Sequence, residues 1–178
     1  MTSWRPGGHG NVTHVDPGAL QWAIEQFGVE SMWDLGCGPG GQVLEGRKLG
    51  MWAAGFDADM SLSLPHGCFH VNVSRCSIGA YVYTPHLVWS CEVAEHIDPL
   101  EVYTYIGNLC MARSVILLTA NPNPGQYHCN PQPVEWWIER IEDNGTHRFD
   151  AALTDEFKQR STMRREFVRN TGMCFVPI

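Results

Sequence analysis

Ser31-Met32-Trp33-Asp34-Leu35-Gly36-Cys37-Gly38-Pro39-Gly40-Gly41 is the stretch whose reading decides the fold. A short apolar run ends in an acid and then breaks into closely spaced glycines, which reads as a strand, a turn and the start of a helix. Glycines at 36, 38 and 40 permit positive φ and let backbone N–H groups approach a ligand with no Cβ in the way. Asp34 falls at the tip of that strand. A carboxylate there repels a pyrophosphate but suits the ammonium of an amino acid.

Gly36, Gly38 and Gly41 also satisfy the spacing of a dinucleotide fingerprint, and Asp57 lies about twenty residues on, where a ribose-binding acid belongs. Three features separate the two readings: Asp34 at the strand tip, Pro39 within the loop, and a length of 178 residues that leaves no room for a dehydrogenase substrate domain. The pattern Asp-x-Gly-x-Gly-Pro-Gly resembles motif I of the class I S-adenosylmethionine-dependent methyltransferases. That resemblance implies a Rossmann-like α/β fold, a mainly parallel sheet closed by an antiparallel C-terminal strand beside the fifth, and S-adenosylmethionine as cofactor. The alternatives are a module that binds the cofactor without catalysis or regulates another subunit, and an NAD-dependent oxidoreductase.

Strand candidates follow at 31–34, 52–57, 69–72, 86–91 and 115–119, alternating with segments of helical punctuation, so the sheet should be mainly parallel. Asp16-Pro17 caps a first helix carrying Leu20, Ala23, Ile24 and Phe27, and Gly28 stops it. Asp98-Pro99 and Pro133 open two more. After Gly145 a short strand at 146–149, a helix capped by Thr154 and a final apolar run at 173–178 complete the pattern. One domain is expected over 1–178, with an N-terminal loop and helix at 1–28 and the core at 29–178.

Twelve basic against nineteen acidic side chains give a net charge of −7, which disfavours binding to a polyanion. Lys158, Arg160, Arg164, Arg165 and Arg169 gather in one expected helix, either as a solvated face or as a local patch for a phosphate-bearing substrate. Seven cysteines with no Cys-x-x-Cys pair read as reduced, buried small hydrophobes. With no long apolar run and no signal-peptide core, the expectation is a soluble cytoplasmic protein without a membrane partner.

Ligands of an open parallel sheet sit outside the carboxyl ends of its strands. The distinctive residues fall there: Asp34 to Gly40, Asp57, Asn72, Cys91, Glu92 and Thr119 to Asn121. Asp57 suits ribose hydroxyls, and Asn72 matches an adenine contact of the family. The cofactor set is then Asp34, Gly36, Cys37, Gly38, Gly40, Asp57, Asn72 and Glu92. Glu92, Glu95 and His96 stand at i, i+3 and i+4, one face of a helical turn, where they either offer oxygen and nitrogen ligands to a divalent cation or position the cofactor edge and cap the helix.

Combined with His128 and the Trp-bearing segment beyond it, this pattern resembles the metal-dependent O-methyltransferases that modify small-RNA 3′ ends and those of ubiquinone biosynthesis. Carried over, Glu92, Glu95, His96 and His128 would ligate Mg or Mn. The acceptor would present an oxygen or nitrogen nucleophile on a small molecule or an exposed part of a macromolecule. Its proton would leave to His128, His96 or His14 as general base, in that order. The glycine-rich segment 7–16 is read as a tail or as a lid that brings His14 or Trp4 to the methyl group.

Overall fold

The computed structural model describes residues 10–80 and 84–178. Among these, one sheet is built from β1 (Ser31–Leu35), β2 (Trp52–Asp57), β3 (Cys68–His70), β4 (Leu87–Ser90), β5 (Val115–Leu118), β6 (His147–Phe149) and β7 (Met173–Pro177). Their order is β3-β2-β1-β4-β5-β7-β6. The first five strands pair in parallel, and β7 runs antiparallel to both β5 and β6. The chain leaves β1 in one direction to form β2 and β3 and returns on its other side to form β4. The strand ends at β1 and β4 therefore diverge into a crevice.

Every residue of β1, β4 and β5 is buried, so these strands read as apolar runs rather than as an alternation. Alternate side chains feed two cores. Trp33 and Val88 pack with Tyr105, Ile106 and Leu109 of α3 (Val102–Leu109) and with Trp137 and Ile141 of α4 (Val134–Glu142). Met32, Leu87 and Trp89 pack with α1 (Pro17–Phe27), α2 (Gly41–Lys48), α5 (Ala151–Arg160) and α6 (Phe167–Thr171) through Leu20, Val43, Phe157 and Val168. Each such side chain contributes roughly 1.5–3 kcal/mol when fully withdrawn from water.

The first helix follows its punctuation: Ala19 N–H donates to the Asp16 carboxylate at 3.1 Å, and Gly28, at φ 63, closes the last turn onto Ile24. The C-terminal third differs from expectation. Its helix starts at Ala151 with Asp150 as the cap, and Thr154 is buried inside it, accepting from Cys174 N–H of β7 at 2.9 Å. Asp150 is the better cap because its side chain reaches Leu153 N–H, while Thr154 is drawn to the sheet. The five cations do not share one helix: residues 161–166 bend between α5 and α6. Cys76 is exposed, unlike Cys37 and Cys174, which are buried; the other four cysteines are partly buried, and all seven are free thiols. Among the described residues no helix is long and apolar enough to cross a membrane.

Candidate functional site

A cavity of about 650 Å³ opens at the carboxyl ends of β1, β2 and β4, within the roughly 300–1,000 Å³ typical of small-molecule sites. Its first wall is the glycine loop. Gly36, Gly38 and Gly40 all have positive φ, and Gly36 and Cys37 donate their N–H groups to Phe56 O at 2.8 and 3.1 Å. A Cβ on Gly36 would overlap the Val93 side chain, so the residue must be glycine both for its φ and for its neighbour. Gly38 N–H donates to Asp57 Oδ2 at 2.8 Å, and Asp59 N–H to Asp57 Oδ1 at 2.8 Å. Asp57 thus fixes the loop while still lining the cavity. Asn72 lines it too, its Oδ1 held by the N–H and hydroxyl of Ser74.

Asp34 is 3% exposed and faces the same space. Burial, reinforced by Cys68 and Asp57, holds its carboxyl well above the usual range, as expected of an acid that faces no cation among the described residues.

The opposite wall begins where β4 ends. Glu92 takes a left-handed backbone, φ 56, stabilised by Thr119: its N–H donates to Thr119 Oγ1 at 2.8 Å, and the hydroxyl donates back to Glu92 Oε1 at 2.9 Å. The helical turn expected for residues 92–96 is a short 3₁₀ turn at Ala94–His96 that leaves Glu92 outside it. One ligand atom each from Glu95, His96 and His128 lies within 4.8 Å of the others, and the two imidazoles meet edge to face at 4.9 Å. Glu92 is not in that group; its Oε2 faces Asn121 Nδ2 at 3.5 Å.

Glu95 is 1% exposed, and its Oε2 has no hydrogen-bond partner among the described residues. Burial and the neighbouring Glu92 push its carboxyl up to about 8. His96 Nδ1 contacts Tyr127 O at 3.1 Å and His128 Nδ1 contacts Asn123 O at 2.7 Å. Since a carbonyl only accepts, each Nδ1 carries a proton, which leaves Nε2 of each ring as the atom that can face a ligand. An orphaned buried carboxylate oxygen beside two imidazole nitrogens is a donor set that fits a divalent cation.

Gly10, Val12, Thr13 and His14 cover part of the cavity, with His14 edge-on to Phe167 at 5.1 Å. Trp4 and residues 7–9 of the expected lid lie outside the described residues. Thr13 and Val93 line the site from within the two segments singled out above, the 7–16 stretch and the turn after β4, whereas Phe167 enters without a sequence signal, by tertiary contact from the C-terminal third.

No protein-family model and no curated protein matches the sequence. Solved structures do. An S-adenosylmethionine-dependent methyltransferase from Archaeoglobus fulgidus superposes with a TM-score of 0.62 at 14% identity, over 90% of this chain and 91% of that one. The methyltransferase domain of bacterial CtHen1 gives 0.59 at 15% identity over 90% and 96%. Magnesium protoporphyrin IX methyltransferase from Synechocystis PCC 6803, with S-adenosylhomocysteine bound, gives 0.57 at 14% over 89% and 78%. The chain has the class I methyltransferase fold. In that fold the antiparallel β7 beside β5 is the diagnostic strand, and here its register pairs Ile116 with Phe175 and Leu118 with Met173. Four acidic side chains, Asp34, Asp57, Glu92 and Glu95, line the cavity of this methyltransferase fold.

Proposed function

We propose that the chain transfers a methyl group from S-adenosylmethionine to an oxygen or nitrogen nucleophile of an acceptor. The observation that carries this reading is the buried, uncompensated Asp34 carboxyl beside the glycine loop at the mouth of β1. An amino-acid ammonium supplies the cation it lacks, whereas a pyrophosphate would meet it as a like charge. Asp57 has acceptor capacity left beyond its two backbone contacts and suits a ribose diol. Asn72, which also lines the cavity, would contact an adenine edge, and the Gly36 to Gly40 backbone with Cys37 and Glu92 would complete the cradle.

The bound sulfonium supplies an activated methyl group that leaves by in-line displacement. The chain's part is alignment and exclusion of water, which together can lower a barrier by on the order of 7–11 kcal/mol. The acceptor must lose a proton, and the imine Nε2 of His128 or His96 is the base at hand; burial holds His96 below its usual range, so it is neutral at pH 7. His14, also held low by burial and by Arg165, is the third candidate. Alternatively, the same imidazole nitrogens are ligands rather than bases: Glu95, His96 and His128, with Glu92 adjacent, would hold Mg or Mn, which when bound supplies a Lewis acid that lowers the acceptor's pKa.

Calorimetry decides the cofactor: S-adenosylhomocysteine should bind and NAD should not, and tighter binding of NAD would overturn the reading. Methyl-labelled cofactor offered with phenolic, RNA and protein acceptors then tests transfer, and repeating the active reaction with a chelator tests the metal. Cofactor binding with no transfer to any acceptor in any metal would favour a non-catalytic module.

A further inference from the structure

A second cavity, about 560 Å³, lies between residues 12–15 and Met163, Arg164 and Arg165. Val12, Thr13 and His14 line both spaces, so the two adjoin across this strap. The walls are anchored by shared contacts. Asp16, fully buried, accepts from Thr162 N–H at 2.8 Å and from the Ser161 hydroxyl, and its own N–H donates to Gln42 Oε1 at 2.8 Å. Thr13 Oγ1 accepts from Gly41 N–H at 3.1 Å, which fastens the strap to the start of α2. On the other side Arg169 clamps the 161–166 bend, donating to Ser161 O at 3.1 Å and Met163 O at 2.9 Å.

Charge separates the two spaces. Among the described residues no carboxylate lines the second one. Glu166, next in sequence to the two arginines, has both oxygens engaged by Arg169 at 2.6 Å. Arg164 and Arg165 are exposed and form no ion pair among the described residues; Arg113 and Arg160 share that, but Arg164 and Arg165 both line this cavity. In a chain of net charge −7, two adjacent guanidinium groups left uncompensated at a cavity mark a place for an anion.

We propose that this second cavity is the acceptor subsite and that the acceptor is a small molecule whose tail carries a phosphate or carboxylate, gripped by Arg164 and Arg165 while its nucleophile reaches past His14 into the strand-end cavity. The proposal rests on the methyltransferase reading above. A small acceptor is favoured over a polymer because the net negative charge repels a long polyanion beyond the reach of two arginines. The planar fork of each guanidinium matches either oxyanion.

The test uses the full chain with and without saturating S-adenosylhomocysteine, titrated with phenyl phosphate and with benzoate while backbone amide shifts are followed by NMR. Saturable shifts at Thr13, His14, Arg164 and Arg165 are expected, and the tighter series identifies the anion. Arg164→Gln with Arg165→Gln should weaken that binding by about tenfold or more while S-adenosylhomocysteine affinity stays within about twofold; lysines at both positions should retain part of it. Shifts that never saturate, or affinity unchanged in the double glutamine variant, overturn the subsite while leaving cofactor binding intact. Saturable anion binding in a chain that does not bind S-adenosylhomocysteine overturns the proposed function and with it the acceptor role.

Discussion

Glu95 carries an uncommon burden, a carboxyl 1% exposed with one oxygen unpartnered. Its folded value of about 8 lies above the ordinary 4.5, so as pH rises the unfolded chain ionises first. The contribution to stability is complete below about pH 4.5 and is lost progressively up to about pH 8. With chelator present, the urea midpoint should therefore fall across that window, and Glu95→Gln should flatten the slope; adding Mn should restore stability on the alkaline side, because a cation favours the charged form. A second residue-scale outcome concerns Gly36. Gly36→Ala places a Cβ against Val93 at φ 76, costing about 1–2 kcal/mol for the left-handed backbone and about 1–3 for overpacking. Thermal unfolding should report a loss of that combined size, and calorimetry a loss of S-adenosylhomocysteine binding; the further replacement Val93→Ala should recover part of the stability.

Among the elements, the bend at 161–166 is where sequence pattern and structure part company. Ser161 to Glu166 is free of glycine and proline, so no breaker residue ends the helix there; the interruption comes from Asp16, distant in sequence, and from Arg169. Strands β1, β2 and β5 were legible because burial on both faces demands apolar runs, and α1 because its cap residues act locally. The glycine loop was legible for the same reason. The left-handed φ of Glu92 was not, since it is imposed by Thr119 across the sheet, nor were the carbonyls of Asn123 and Tyr127 that orient the two histidines. Asp16→Ala removes a helix cap and the tie to the bend together. A loss of about 3 kcal/mol is expected in urea denaturation, larger than a cap alone would give. Ser161→Ala, which removes only one of those bonds, should cost less.

For the molecule as a whole, a ligand that binds the folded chain alone stabilises it by about 2.7 kcal/mol at a hundred times its Kd. In a chain of this size each kcal/mol moves the melting midpoint by about 2–4 °C. S-adenosylhomocysteine should thus raise the midpoint by about 5–10 °C in a thermal-shift measurement, and NAD at the same concentration should leave it in place. The strand order has a further consequence, for biosynthesis. Among the described residues the strand latest in chain order, β7, is not at the rim of the sheet but sits between β5 and β6. Until it emerges from the ribosome, β5, with Val115 to Leu118 all destined for burial, presents an open hydrogen-bonding edge, and β6 has no neighbour in the sheet. The nascent chain must therefore hold an incomplete sheet until translation reaches Met173 to Pro177, and a ribosome that stalls short of them releases a polypeptide whose sticky edge recruits copies of itself.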